Sequence, residues 1–159
     1  RQARTGKNGV IFLLFKFRSM VPDAELSTGA IWAEKDDPRI TKVGRFLRRR
    51  ALDELPQVIN MWKGDLSIVG PRPERPELVE GIVNVIPQFT KRNEITPGLT
   101  GLAQVYGQYT TAPRNKLRYD TLYIKRMSPW LDTKLIFRSI VYTLRGSWQT
   151  QRNPKQNRS

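Results

Sequence analysis

Asp53 and Glu54 stand side by side just past the run Arg48-Arg49-Arg50, with Ala51 and Leu52 between, in the stretch "GRFLRRRALDELPQ". Two adjacent carboxylates can hold a hard divalent cation, and an ionised one can attack an electrophilic phosphorus. Guanidinium groups are planar forks that match the oxygens of a phosphate. Acids and forks at this spacing point to chemistry on a phosphate ester. A plainer reading stands beside it: Asp is a favoured helix N-cap, and Glu in a first turn is ordinary. On these two residues alone, the plainer reading outweighs the chemical one.

Further cations shift that balance. Between Arg39 and Arg50 there are six Lys or Arg and no acid. Pro71-Arg72-Pro73 encloses one arginine between two residues of fixed φ, which leaves its backbone little freedom to lose on binding an anion. Lys16 and Arg18 lie at the end of an apolar segment, a reasonable place for two cations if something anionic sits there. The arginine run also reads as a solvated face or a membrane-surface patch, and Pro71-Arg72-Pro73 as a simple strand exit.

Composition excludes other chemistries. The 159 residues contain no Cys and no His, so there is no disulfide framework, no Cys or His zinc site, no thiol nucleophile and no imidazole base. A metal here must bind oxygen, which favours Mg²⁺. Lys and Arg number 28 against 14 acids, a formal charge of +14 that suits a polyanionic partner. The longest apolar run, "VIFLLF", is far too short for a bilayer crossing of roughly 20 residues.

The elements that must carry these groups follow from patterning. Val10–Phe17 is β-branched and aromatic, and reads as a buried strand after the turn-like "GKNG". Residues 21–38 are polar and broken by Pro22, Gly29 and Pro38, as a loop would be. "ITKVGRFLRRR" predicts a short helix with Val43, Phe46 and Leu47 inward and Arg45, Arg48 and Arg49 on another face. Asp53 then suits the N-cap of a second helix, with Pro56 in its first turn, and both the helix dipole and the arginines favour its ionised form. A turn and short strand cover "GDLSIVG". Helical patterns cover Pro76–Val85, Pro87–Arg92, Pro113–Met127 and Pro129–Leu144, the last capped by Ser128. "TPGLTGLAQVYGQY" reads as loop and short strand. In the last helix Ile136, Phe137, Ile140, Val141 and Leu144 read as a core stripe more readily than a membrane-lying face. The expected architecture is a mainly helical α+β domain over residues 1–145 with a few short strands, followed by a basic polar tail, 146–159, of disordered composition.

Taken together, "KFRSM", "DDPRITKVGRFLRR", "LDELPQVINMWKGDLSIVGPRPERPE", "TPGLTGLAQVYG", "YDTLYI" and "LDTKLIFRSI" resemble the bacterial sugar transferases, the monotopic polyprenyl-phosphate phosphoglycosyl transferases. The likeness runs to about Ile140, and several ordered motifs are more specific than any one alone. It implies transfer of a sugar phosphate from a UDP-sugar to undecaprenyl phosphate with release of UMP, an early membrane step in exopolysaccharide, capsule or O-antigen synthesis. It implies a ping-pong route through a phosphosugar-aspartyl intermediate, with Asp53 and Glu54 as the dyad and as the Mg²⁺ ligands. Lys16, Arg48 and Arg72 match basic positions associated with phosphate, Arg18 is a further candidate, and Asp120 in "YDTLYI" matches a recurring acid without an assigned role.

The resemblance also implies the cytoplasmic face of the bacterial inner membrane, with an apolar re-entrant hairpin just before the point where this sequence starts. Ala103 departs from the family, in which many members carry an aromatic there. The rival readings are a basic nucleic-acid-binding protein and a non-catalytic membrane-surface module. No nucleic-acid motif is recognisable and the aromatics are not interleaved with the arginine run, so no nucleic-acid partner is expected.

Overall fold

The computed structural model describes residues 1–26, 29, 37–107 and 112–145. The expected tail 146–159 and much of the expected loop before Asp37 lie outside the described residues. The architecture is mainly helical α+β. Strand β1 (Gln2–Thr5) pairs antiparallel with β2 (Ile11–Leu14), with Thr5 opposite Ile11, across a tight turn at Lys7–Gly9. After α1 (Lys42–Arg49), a 3₁₀ turn (Leu52–Gln57) runs into α2 (Val58–Lys63). A short parallel pair, β3 (Ser67–Val69) and β4 (Gly98–Thr100), brackets α3 (Pro76–Val85) and a 3₁₀ segment (Pro87–Glu94). The chain then enters α4 (Leu102–Tyr106), α5 (Pro113–Arg126) and α6 (Pro129–Arg145).

The core forms where α4, α5 and α6 meet the β3–β4 pair, with Val69, Leu102, Val105, Tyr123 and Leu135 buried together. Tyr123 ties three elements at once: its hydroxyl lies 2.8 Å from Asp132 Oδ1 and 3.4 Å from the Val69 carbonyl. Strands β3 and β4 approach so closely that a Cβ on Gly98 would lie 2.0 Å from the Gly70 nitrogen. That crossing fixes the point from which Pro71-Arg72-Pro73 departs.

Several sequence expectations change here. The strand is shorter than Val10–Phe17 and is not buried: Ile11 and Leu13 are exposed, and Leu14 alone of its residues is in the core. It belongs to a two-stranded ribbon whose other strand, β1, the patterning did not indicate. In α1, Val43 and Phe46 point out, 69% and 55% exposed, while Gly44 is buried. The helix is docked through bare backbone, since a Cβ on Gly44 would come within 1.9 Å of the Ser19 carbonyl oxygen. Asp53 is not an N-cap: a 3₁₀ turn starts one residue earlier, behind Ala51 in the left-handed region at φ 52°. In α6 the core face is Leu131, Leu135, Ile136 and Tyr142, while Phe137, Ile140 and Leu144 are exposed. "GLAQVYG", expected as loop and strand, contains the helix α4.

Candidate active site

The site forms where the chain leaving β2 passes beside the 3₁₀ turn. Phe17 donates its backbone N–H to the Asp53 carbonyl at 2.9 Å. One turn further on, Asn60 is completely buried: it accepts from Phe15 N–H at 3.0 Å and donates to the Leu13 carbonyl at 2.8 Å. These bonds carry on from the end of the strand ladder and hold Lys16 against the dyad. Polar side chains buried against backbone register one segment on another, because leaving them unpaired is costly.

Glu54 is the electrostatic centre. Lys16 Nζ donates to Glu54 Oε1 at 2.8 Å. Arg72 forks onto the same carboxylate, with Nη1 3.3 Å from Oε2 and Nη2 bonded to Oε1. Burial pushes the Glu54 carboxyl up, but Arg72 and Lys16 more than offset it and hold it well below the ordinary range. Burial, aided by Arg72, lowers the Lys16 ammonium, and Glu54 acts against both.

Asp53 differs from its neighbour. Its residue is only 5% exposed, and among the described residues no side chain hydrogen-bonds its carboxylate. Burial raises its carboxyl above 3.8, Lys16, Arg48 and Arg72 pull it down, and Glu54 reinforces the rise. The sequence expectation of a dipole-stabilised, acid-shifted Asp53 is therefore reversed in direction, because desolvation outweighs the cations. A carboxylate whose pKa is raised by burial is more basic, and so a stronger oxygen nucleophile, than an ordinary one.

Arg48 reaches the site from α1, with its Nε donating to Ser19 Oγ at 2.8 Å. Lys16, Arg48 and Arg72 thus come from three different segments to surround the two carboxylates. Arg18 lies past the strand end and is exposed, and no hydrogen bond or ion pair joins it to either carboxylate among the described residues. Asp120 is not at the dyad either. It is buried in α5, paired with Arg92 through contacts of 2.9 Å to Nε and 2.8 Å to Nη2. Arg92, Glu74 and Lys116 escaped sequence reasoning, since Arg92 lies in the polar stretch "TKRNE", which reads as surface.

The donors fit a hard cation in kind: both carboxylates are oxygen ligands, and Asp53 still has lone pairs that no side chain occupies. Among the described residues no group of three or more acidic side chains comes together. An ion bound here would therefore have to complete its shell with water or substrate phosphate, as Mg²⁺ commonly does.

Anchored cations beside a carboxylate raised by burial, on a mainly helical α+β frame, are the kinds of group that nucleophilic chemistry at a phosphate group uses. Residues 1–146 match the family described as bacterial sugar transferase, and the chain belongs to that family. It is 40% identical over 148 residues to a UDP-N-acetylgalactosamine-undecaprenyl-phosphate N-acetylgalactosaminephosphotransferase of Aeromonas hydrophila, covering 91% of this chain and 35% of that protein. It is 42% identical over 149 residues to a UDP-glucose:undecaprenyl-phosphate glucose-1-phosphate transferase of Xanthomonas campestris, covering 91% and 31%. A galactosyl transferase of Streptococcus agalactiae is 38% identical over 157 residues, covering 92% and 34%. The chain thus spans about a third of the length of these relatives.

Proposed function

We propose that this chain carries the catalytic centre of an enzyme that moves a sugar 1-phosphate from a UDP-sugar to undecaprenyl phosphate and releases UMP. The observation that supports it most is the contrast within the dyad. Glu54 is neutralised by Lys16 and Arg72, whereas Asp53 is buried, more basic and without a side-chain hydrogen bond among the described residues. In the first step an Asp53 carboxylate oxygen attacks the phosphorus that bears the sugar. The bond to the bridging oxygen of the diphosphate breaks and UMP leaves. An oxygen of the polyprenyl phosphate then attacks the same phosphorus, the bond between phosphorus and the Asp53 oxygen breaks, and the carboxylate is restored.

Arg48, Lys16 and Arg72 bind and orient the phosphate oxygens on which charge accumulates, and Glu54 keeps two of these cations in place. Asp53 and Glu54 would hold a Mg²⁺ ion, which when bound supplies further charge neutralisation at the diphosphate. The membrane partner is read from exposed apolar residues on the segments that carry the site. Val43 and Phe46 on α1 and Leu55 and Trp62 beyond the dyad are exposed, with Arg45, Arg49, Arg50 and Lys63 exposed among them. Apolar residues interleaved with cations suit the surface of an anionic leaflet. The cytoplasmic face of the bacterial inner membrane is the corresponding location. Among the described residues no helix is long and apolar enough to cross a membrane.

Intact-protein mass spectrometry after incubation with Mg²⁺ and a panel of UDP-sugars tests this reading, with UMP followed in the same tubes. The expected result is a mass gain equal to one phosphosugar, absent in Asp53→Asn, and its discharge on adding undecaprenyl phosphate. An adduct that persists in Asp53→Asn would overturn the assignment of the nucleophile. Neither adduct nor UMP with any donor, in detergent with lipid present, would remove the transferase reading.

A further inference from the structure

Four successive carbonyls around the Pro71-Arg72-Pro73 turn are each held, by donors from three segments of the chain. Pro71 O accepts from Gly98 N at 2.9 Å, and Arg72 O from Arg92 Nη2 at 2.7 Å. Pro73 O accepts from Arg4 Nη1 at 3.1 Å, and Glu74 O from Thr5 N at 2.9 Å. The Glu74 side chain is held as well, by Lys116 Nζ at 2.8 Å, with Arg92 Nη1 at 3.8 Å. Burial raises the Glu74 carboxyl, yet Lys116 and Arg92 hold it down at about 2. This is far more fixing than a strand exit requires.

The bond at Arg72 stands out because its donor is itself buried and braced. The Arg92 side chain is 3% exposed and that of Asp120 1%. The guanidinium lies 4.8 Å over the ring of Phe89, which is fully buried. A buried ion pair is weak evidence for stability, because a well-packed apolar pair often does as well; its value is commonly to fix an arrangement. Here the arrangement it fixes is the backbone of the residue whose guanidinium meets Glu54.

We propose that Asp120 and Arg92 are positioning residues: their pair clamps the Arg72 carbonyl from behind, and so aims the Arg72 guanidinium at Glu54 and the substrate phosphate. The role at the phosphate rests on the transferase reading above; the aiming itself does not. With φ fixed at Pro71 and Pro73, releasing the Arg72 carbonyl loosens the backbone from which its side chain projects, and small misplacements at a reacting centre are costly. Asp120 does its work about two residues removed from the chemistry.

The test is a double-mutant cycle on UMP release, with Asp120→Asn and Arg72→Ala singly and together, and Tyr123→Phe as a control for lost stability in the same helix. Arg92→Lys keeps the charge but loses the fork, and carries the cycle if Asp120→Asn folds poorly. The expected result is a kcat loss of about 10- to 100-fold for either clamp variant with little change in KM, and no further loss once Arg72 is Ala. Tyr123→Phe lowers stability without that loss. In parallel, the Arg72 Nε–Hε resonance is followed by ¹⁵N NMR. It is expected to shift or broaden in the clamp variants and to stay put in Tyr123→Phe. Additive losses with an unmoved Arg72 resonance would overturn the proposal. If the unaltered protein releases no UMP, the transferase reading fails, and the resonance alone still decides whether the clamp aims Arg72.

Discussion

At the scale of single residues, the division of labour between Asp53 and Glu54 comes from what each carboxylate touches. Glu54 has two cations bonded to it and is an acid-shifted anchor; Asp53 is buried beside the same cations without bonding them. A carboxyl raised by burial binds protons more tightly in the folded state than in the unfolded one. Its ionised form therefore detracts from stability at neutral pH, once pH has passed both values. Asp53→Asn is expected to lower turnover by about 10³-fold or more while leaving the melting temperature equal or higher, read by calorimetry beside the UMP assay. A clear drop in melting temperature would mean that Asp53 is structural. The same shift sets a pH profile. Because the ionised form attacks, the acidic limb of kcat/KM is expected at a higher pH than the ordinary Asp value of 3.8. A limb at or below that value would contradict the burial argument.

At the scale of elements, α1 delivers Arg48 through contacts that a hydropathy reading inverts. Periodicity favours Val43 and Phe46 as the inward face, yet the helix seats Gly44 on the Ser19 backbone. Gly44→Ala places a methyl where backbone already stands, so it is expected to cost about 1–3 kcal/mol and to weaken activity by moving Arg48. Val43→Ala should change stability by no more than about 0.5 kcal/mol. Urea unfolding of the two variants distinguishes them, and the opposite ranking would restore the hydropathy orientation. Helices α3, α5 and α6 were legible because proline starts each one and apolar periodicity is sustained over many residues. Strand β1 was not, because "QART" has no apolar alternation and is a strand only by pairing with β2.

At the scale of the whole molecule, +14 charges and exposed apolar side chains together describe a surface suited to an anionic lipid interface. Binding to vesicles containing anionic lipid is expected to fall severalfold as salt rises from about 0.1 M to about 1 M, where the screening length shrinks from about 10 Å to about 3 Å. Trp62 is 91% exposed, so Trp62→Ser should leave folding intact while weakening vesicle binding about tenfold. Co-sedimentation measures both. Binding indifferent to salt and to Trp62 would locate the lipid contact elsewhere.

The sequence by itself determined the mainly helical α+β class, the resemblance to the sugar transferases and the dyad with most of its candidate cations. Those are properties of residue type, local periodicity and ordered motifs, which survive in one dimension. The tertiary structure alone decided which cations meet which acid, which face of α1 and α6 is inside, and that Asp53 is raised rather than lowered. It also tied Asp120 to Arg72 through Arg92. Each of these depends on segments distant along the chain, brought together and in part buried. Desolvation and long-range hydrogen bonding have no signature until the chain has folded.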